Sequence, residues 1–325
     1  MEQIKEPETL QEAVLYFSSA DRCREYLIAR RWPEGVTCPR CGSQNVTFQP
    51  RHNRWQCASH HDRRQFTLKT GTIFEDSPIG LGKWLIAMWM VVNCKNGVSS
   101  YEIHRAIGVT QKTAWFMDHR IRLALRDHTG PLSGTIEMDE TFIGGKVQNM
   151  HKSKKPAAAT KSRGVVGKTI VVGILERRGR VRAEVVAERS RAVLHALAQK
   201  HIAPGSTLIT DEWGGYKGTD YRHEIINHAV EYVNGLVHTQ GIENFWSLLK
   251  RDLNGTYISV EPFHLFRYID EQAFRYNHRE DKGDGERFRI AASQIAGKRL
   301  VYEELTGKIP REIKAADHPS PGTVC

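Results

Sequence analysis

The sequence predicts an α/β chain: a sheet flanked by helices, preceded by a metal-bound β-ribbon and a pair of short helices. Three observations predict it. Metal-ligating side chains at knuckle spacing fall between Cys38 and His60, residues 81–126 carry apolar side chains at helical period, and from residue 135 onward β-branched runs alternate with amphipathic helices.

The chain of 325 residues is long enough for two or three compact units around a sizeable core. Its formal net charge of +10 favours a polyanionic partner, most simply nucleic acid. The longest apolar run, "WLIAMWMVV", falls short of the ~20 residues that span a bilayer, and "MEQIKEPETLQEAV" is no apolar signal segment. A cytoplasmic protein with no membrane partner is the expectation. Three of the six cysteines fall between Cys38 and Cys57, which in such a compartment indicates metal before disulfide.

The N-terminal third is a helical lead-in over 1–34, a ribbon over 35–76 and a helical region over 77–130. "CPRCGSQNVTFQPRHNRWQCASHH" sets Cys38-x-x-Cys41 ahead of Cys57-x-x-His60, two short-spaced pairs separated by a hairpin, as one structural Zn²⁺ requires. Gly42 supplies a permissive backbone after the first pair. His61 is the alternative fourth ligand. A segment this short cannot build a core, so the metal supplies its folding free energy. "VSSYEIHRAIGVTQKTAWFMDHRIRLALR" then offers Ser99 or Ser100 and Thr110 as N-caps around "IGVT", the sequence form of a helix-turn-helix. Its second helix is expected to present Gln111, Lys112, Thr113, His119 and Arg120 outward to DNA, with Ala114, Met117, Ile121 and Leu125 inward. A plain helical hairpin inside a larger core is the competing reading.

Residues 131–280 carry the sheet. "TIEMDETFIGGK" alternates in polarity and places Asp139 near a strand end, with Glu137 and Glu140 beside it. Residues 146–168 form a basic insert with seven Lys or Arg and no acid, a surface loop whose Lys154 and Lys155 are expected on DNA phosphates, as are the basic residues near Arg63 and Arg64. "TIVVGILE" and "RVRAEVVAE" read as a hairpin, "SRAVLHALAQKHI" as a helix from Ser190, and "STLITDEWGGYKG" as a strand ending at Asp211. Two aspartates at neighbouring strand ends suit shared divalent cations such as Mg²⁺. In "TQGIENFWSLLKRDLNG", Ile242, Phe245, Trp246 and Leu249 form an apolar stripe, and Glu243 and Lys250 lie seven apart on one face. Glu243 can complete the carboxylate set and Lys250 can hold a phosphate. Asn244, in register with Arg251, competes with Glu243; His238 is a further candidate. Trp213, Tyr216, Trp246 and Tyr257 read as core. Glu137, Glu140 and Glu212 read as peripheral to any metal. Residues 281–325 read as one helix and a tail.

"CPRCGS", "RRQFTLKTGTIFEDSPI", "MDETFIGGK", "TDEWGGY" and "HTQGIENFWSLLKRDLNGTY…YIDEQAFRYNHR" resemble the zinc-ribbon DDE (DDEK) transposases of bacterial insertion sequences, the group related to the Merlin elements of eukaryotes, over about Cys38 to Arg279. The resemblance implies an RNase H-like catalytic domain of mixed sheet and helices. It further implies two Mg²⁺ per site, with Mn²⁺ able to substitute, cutting at terminal inverted repeats, and joining of 3′-OH ends to target DNA. Carried over residue by residue, the acids are Asp139, Asp211 and Glu243, with Lys250 the accompanying basic residue, and Lys250 and Arg251 on DNA. Two DNA ends suggest a homodimer or larger assembly, associated with the nucleoid when bound. That pattern has Cys where this chain has His60, and some relatives carry Asn as the third residue, so Asn244 stays open. A zinc-ribbon transcription regulator and an RNase H-like nuclease without strand transfer are the rival functions.

Overall fold

The computed structural model describes residues 5–126, 129–145, 167–211, 214–216, 218–226, 240–280 and 282–309. Lys154, Lys155, Glu212, Trp213 and His238 lie outside them.

Two helices open the chain, α1 (Leu10–Tyr16) and α2 (Ala20–Arg31), the first under a Thr9–Glu12 capping box. The ribbon follows as an antiparallel sheet of β1 (Val46–Gln49), β2 (Arg54–Cys57) and β3 (Gln65–Phe66). It is not coreless, as its brevity suggested. Trp55 stacks on Phe66 with ring centroids 5.8 Å apart and meets Trp32 edge-on at 5.6 Å, so the ribbon borrows its apolar partner from the end of α2.

Helix α3 (Leu81–Asn93) leads to α4 (Ser100–Ile107) and α5 (Gln111–Leu125). Ser99 and Thr110 cap α4 and α5, and Gly108, at φ 62°, makes the left-handed turn that ends α4. Ala114, Met117, Ile121 and Leu125 point into the core as expected. The outward placing of His119 and Arg120 is overturned: both are buried, and Arg120 donates to the carbonyls of Leu300 (3.0 Å), Ile73 (3.1 Å) and Glu75 (2.8 Å). The polar face of α5 is covered by later parts of the chain, which its own period cannot reveal. Lys112 in its first turn is exposed, Gln111 and Thr113 beside it are half-buried, and so are Trp115, Phe116 and Leu123 further along.

The second sheet contains β4 (Thr135–Ile143), β5 (Thr169–Glu176), β6 (Val181–Val186), then α6 (Arg191–His201), β7 (Thr207–Asp211) and β8 (Arg222–Ile226). Its order is β6-β5-β4-β7-β8, with β4–β5 and β5–β6 antiparallel and β4–β7 and β7–β8 parallel. A three-stranded meander extended by two parallel strands after a crossover helix is the RNase H-like arrangement. Strand β4 is central, so both its faces are covered. Ile136 and Met138 pack with Leu194 and Ala198 of α6, while Glu137, Asp139 and Thr141 face α7 (Gln240–Gly255).

Helix α8 (Leu265–Asn277) lies beside α7 and is followed by α9 (Asp284–Ser293) and α10 (Tyr302–Leu305). The single C-terminal helix expected from 281 is broken after Ser293, because Ile295 and Ala296 leave the helix to bond the backbone at Ile73 and Thr72, and Gly297 turns at φ 74°.

Helices α5, α7 and α8 meet through buried charge. Glu271 accepts from Arg122 at 2.6 Å and bonds Arg275 and the Tyr257 hydroxyl, and Arg275 reaches Asp252 at 2.6 Å. Burial would raise Glu271, but the two guanidiniums outweigh it and hold its carboxyl below the usual range. Removing Glu271 takes the carboxylate from buried Arg122 and leaves Arg275 with Asp252 alone. Glu271→Ala is expected to cost about 3–5 kcal/mol in urea unfolding; a loss under about 1 kcal/mol would mean the guanidiniums re-pair elsewhere.

Candidate active site and metal centre

The ribbon gathers Cys38, Cys41, Cys57 and His61, each with a donor atom within 4.8 Å of the others. Gly42, at φ 73°, closes the first knuckle, where Gly42 N–H donates to the Cys38 carbonyl and Cys38 N–H to that of Ser43. Four ligands ~2.3 Å from one zinc stand ~3.8 Å apart on a tetrahedron, and the Cys41 and Cys57 sulfurs are separated by 3.7 Å. His61 Nδ1 lies 2.7 Å from the Asp62 carbonyl, which can only accept. That contact fixes the proton on Nδ1 and leaves Nε2, 3.5 Å from Cys38 Sγ, its lone pair for a metal. Burial pushes the Cys57 thiol up, yet hydrogen bonding by its neighbours, among them the Ser59 backbone, brings it down to about 6, toward the thiolate a metal needs. The donor set fits structural Zn²⁺.

The fourth donor is His61, and the assignment to His60 is corrected; His60 is exposed and outside the set. The ladder does not stop at Cys57. Ala58 N–H donates to the Asn45 carbonyl at 2.9 Å, which delays the turn and moves the inward-pointing position one residue on.

The carboxylates collect where β4 and β7 part. Their last paired residues are Glu137 and Ile209, and Asp139 and Asp211 each stand two residues beyond. Asp139, Glu140 and Asp211 offer oxygens within 4.8 Å of one another. Strand alternation sends Asp139 toward α7 and Glu140 toward the opposite face, where the nearby Tyr216 hydroxyl and Arg189 favour its charged form. Burial raises Asp139, opposed by the bond from Trp246, with the charges of Asp211 and Glu243 raising it further. Burial and the same aspartates push Glu140 up to about 7. Like charges crowded in a half-buried place favour protonation, unless a cation neutralises them. Hard oxygen donors so arranged fit Mg²⁺ or Mn²⁺.

Helix α7 is seated on this edge. Trp246 Nε1–H donates to Asp139 Oδ2 at 2.9 Å. Buried Glu137 accepts from Ile242 N–H at 3.0 Å, a carboxylate on the first turn of the helix, and pairs with Arg177 at 3.2 Å. Two glycines permit the approach: a Cβ at Gly173 would lie 2.5 Å from the Trp246 ring, and one at Gly241 would lie 2.8 Å from Glu137 Oε2. Gly173 pairs with Asp139 across the ladder. Glu243 stands one turn before Trp246, about 60° from it on the helical wheel, whereas Asn244 is turned about 160° away. Glu243, Lys250 and Arg251 are exposed. Glu243 acts on Asp139 through space and lies outside the 4.8 Å set.

Sequence reasoning placed Glu140 and Trp246 away from the chemistry, and the structure brings both to Asp139. The glycine inside "TIVVGILE" was the available signal, since a strand glycine marks close approach by another element. Gln111 bonds the Ser100 hydroxyl at 2.9 Å, Thr113 bonds Thr110, and Lys112 lies over the Tyr302 ring at 4.7 Å.

Residues 131–277 match the ISXO2-like transposase domain and residues 18–62 the transposase zinc-ribbon domain. An uncharacterized protein in transposable element ISH50 of Halobacterium salinarum is 26% identical over 250 residues, covering 73% of this chain and 84% of that protein. An uncharacterized transposase-like protein of Haemophilus influenzae is 29% identical over 101 residues, covering 30% of this chain and 81% of its own length. A chain in the cryoEM structure of the simian T-cell lymphotropic virus intasome with PP2A regulatory subunit B56 gamma matches at 14% identity and TM-score 0.27, over 56% of this chain and 64% of that one, too distant to carry an argument.

Two outcomes follow from these geometries. His61→Ala should lose bound zinc from about one equivalent per chain, whereas His60→Ala keeps it, as read by elemental analysis. Gly173→Ala should push Trp246 off Asp139, cost about 1–3 kcal/mol, and speed amide exchange across residues 242–249; unchanged exchange there would refute the seating role.

Proposed function

The chain belongs to the zinc-ribbon DDE transposases of the ISXO2-like type, and from that premise we propose that it cleaves the ends of an insertion sequence and joins their 3′-OH groups to target DNA. The observation that carries this reading is the pairing of Asp139 with Asp211 at the parting of two parallel strands, beneath a helix locked to Asp139 through Trp246.

Asp139 and Asp211 would hold the divalent cations, Glu243 would approach from α7, and Glu140 would close the opposite side. Bound there, two such cations supply a nucleophilic oxygen at neutral pH and neutralise charge on the departing one. The chain's own residues do the positioning. Trp246 fixes the rotamer of Asp139, and Glu137 fixes the start of α7 and so the place of Glu243. Lys250, seven residues after Glu243 and about 10 Å along the axis, holds a phosphate of the strand being cut. The surface turn of α5, with Gln111, Lys112 and Thr113, meets the terminal repeats end-on, since recognition helices read base edges with their first residues. Lys154, Lys155 and Arg251 add phosphate contacts, so affinity falls as salt rises. Joining two ends calls for at least two copies on the DNA. Among the described residues no helix is long and apolar enough to cross a membrane.

Asp139→Asn and Asp211→Asn should each reduce Mg²⁺-dependent cleavage of a duplex carrying the element's ends by about 10³-fold or more, with duplex affinity within about threefold of wild type. Cleavage that survives both changes would leave a DNA-binding regulator. Cleavage without joined products from a pre-cut 3′-OH end would leave a nuclease. Glu243→Gln should be as damaging as the aspartate changes; if it is silent and Glu140→Gln is not, the third ligand is Glu140.

A further inference from the structure

A cleft of about 310 Å³ opens between α3, α7, α8 and α9, away from the carboxylates. Its charged lining is all positive: Lys95, Arg275, Arg279 and Arg287, over a floor that includes Leu248 and Tyr276. The four cations are not equally committed. Arg275 is spent inward on Glu271 and Asp252, and Arg287 on Asp284 and Asn93. Arg279 lies over the Tyr276 ring at 3.8 Å and donates to the Tyr276 carbonyl at 2.7 Å. Its ion-pair partner, Glu280 at 2.9 Å, has a side chain 67% exposed. Lys95 is exposed and makes no ion pair among the described residues.

We propose that this cleft binds the phosphodiester backbone of DNA, as a second anchoring point on the far flank of α7 from the carboxylates; the inference rests on the transposase reading above. Arg275 and Arg287 are held by acids behind the lining, which leaves Lys95 and Arg279 to meet an anion in a cleft that no acid lines. Stacking holds the Arg279 guanidinium in a fixed plane, which suits a bidentate grip on phosphate, and an exposed pair such as Arg279–Glu280 is weak enough in water to be exchanged for it. The path to the site selects DNA over a free anion. Leu248 lies about 140° around α7 from Glu243 and about 7.5 Å along it, and exposed Ser247, Asn244 and Arg251 occupy the arc between. One strand charge per ~3.4 Å of duplex axis puts the cleft roughly three nucleotides from the carboxylates across a helix ~10 Å wide. The anchor is mechanically tied to the same helix, because the Tyr276 hydroxyl bonds the Gly241 carbonyl at 3.3 Å.

The test uses full-length protein carrying Lys95→Glu and Arg279→Glu, both surface changes, with melting temperature and zinc content checked against wild type. Affinity for a duplex bearing the element's ends is measured over a salt series. The expected result is at least tenfold weaker binding at low salt, and a slope of log affinity against log salt shallower by about 1.8, two phosphates at ~0.9 each. Duplex, and not millimolar inorganic phosphate, should also protect Lys95 of the wild type from acylation. An unchanged slope in a double variant whose wild type binds and cleaves DNA overturns the cleft and leaves the transposase reading standing. Protection by phosphate alone overturns the DNA assignment. A wild type that binds no duplex sinks both.

Discussion

The contact on which the rest depends is the indole of Trp246 laid into the space above Gly173, with its N–H on Asp139. A glycine inside a strand gives up roughly 0.5–1 kcal/mol, and here that loss is offset by burial of an aromatic ring that also needs a polar partner for its N–H. On the proposed reading, the partner is the carboxylate that the chemistry requires. Packing and function are therefore not separable at this position. Glu137, one alternation earlier on the same strand, repeats the logic by meeting the first turn of the same helix. Two acids of β4 thus do different work. One is buried to hold α7, and the other is half-buried beside Asp211.

The same helix is held from the other side by charge. Arg122 of α5, Glu271 and Arg275 of α8 and Asp252 of α7 form a chain of buried ion pairs that joins the helical region to the sheet domain. Such networks lose much of their Coulomb gain to desolvation, so their value lies in permitting one arrangement and penalising others. With α5 fixed against α8 this way, its polar face is filled by backbone carbonyls reaching for Arg120. Helix α5 is then a structural hub that exposes Lys112 in its first turn, while α4 exposes Tyr101, Glu102 and Arg105.

Much of this was legible in the residues. Ligand spacing announced the ribbon, alternation located Asp139, a short apolar run ended at Asp211, and the stripe of Ile242, Phe245, Trp246 and Leu249 gave the buried side of α7. What escaped has a common cause: each miss depended on a neighbour distant in sequence. The fourth ribbon donor moved to His61 because pairing with Asn45 continues past Cys57. Arg120 and His119 were hidden by segments that begin near residues 73 and 264. Glu140 approached the aspartates because strand divergence opens room that a one-strand pattern cannot show. The break after Ser293 is made by pairing with Thr72.

A basic chain with three acids at one sheet edge poses an electrostatic problem that only one kind of occupant resolves. The positive surface draws in a polyanion, yet the carboxylates at its destination repel it, and burial, with their repulsion of one another added, already lifts Asp139 and Glu140. Protonation could relieve the acids, but it would leave nothing able to act on a phosphate. An arginine placed between them would relieve them too, but it would block the very approach. A divalent cation satisfies both sides at once, because it is held by the acids and attractive to the DNA. On the proposed reading, the burial that makes these carboxyls reluctant to ionise alone is what makes them bind metal and phosphate together.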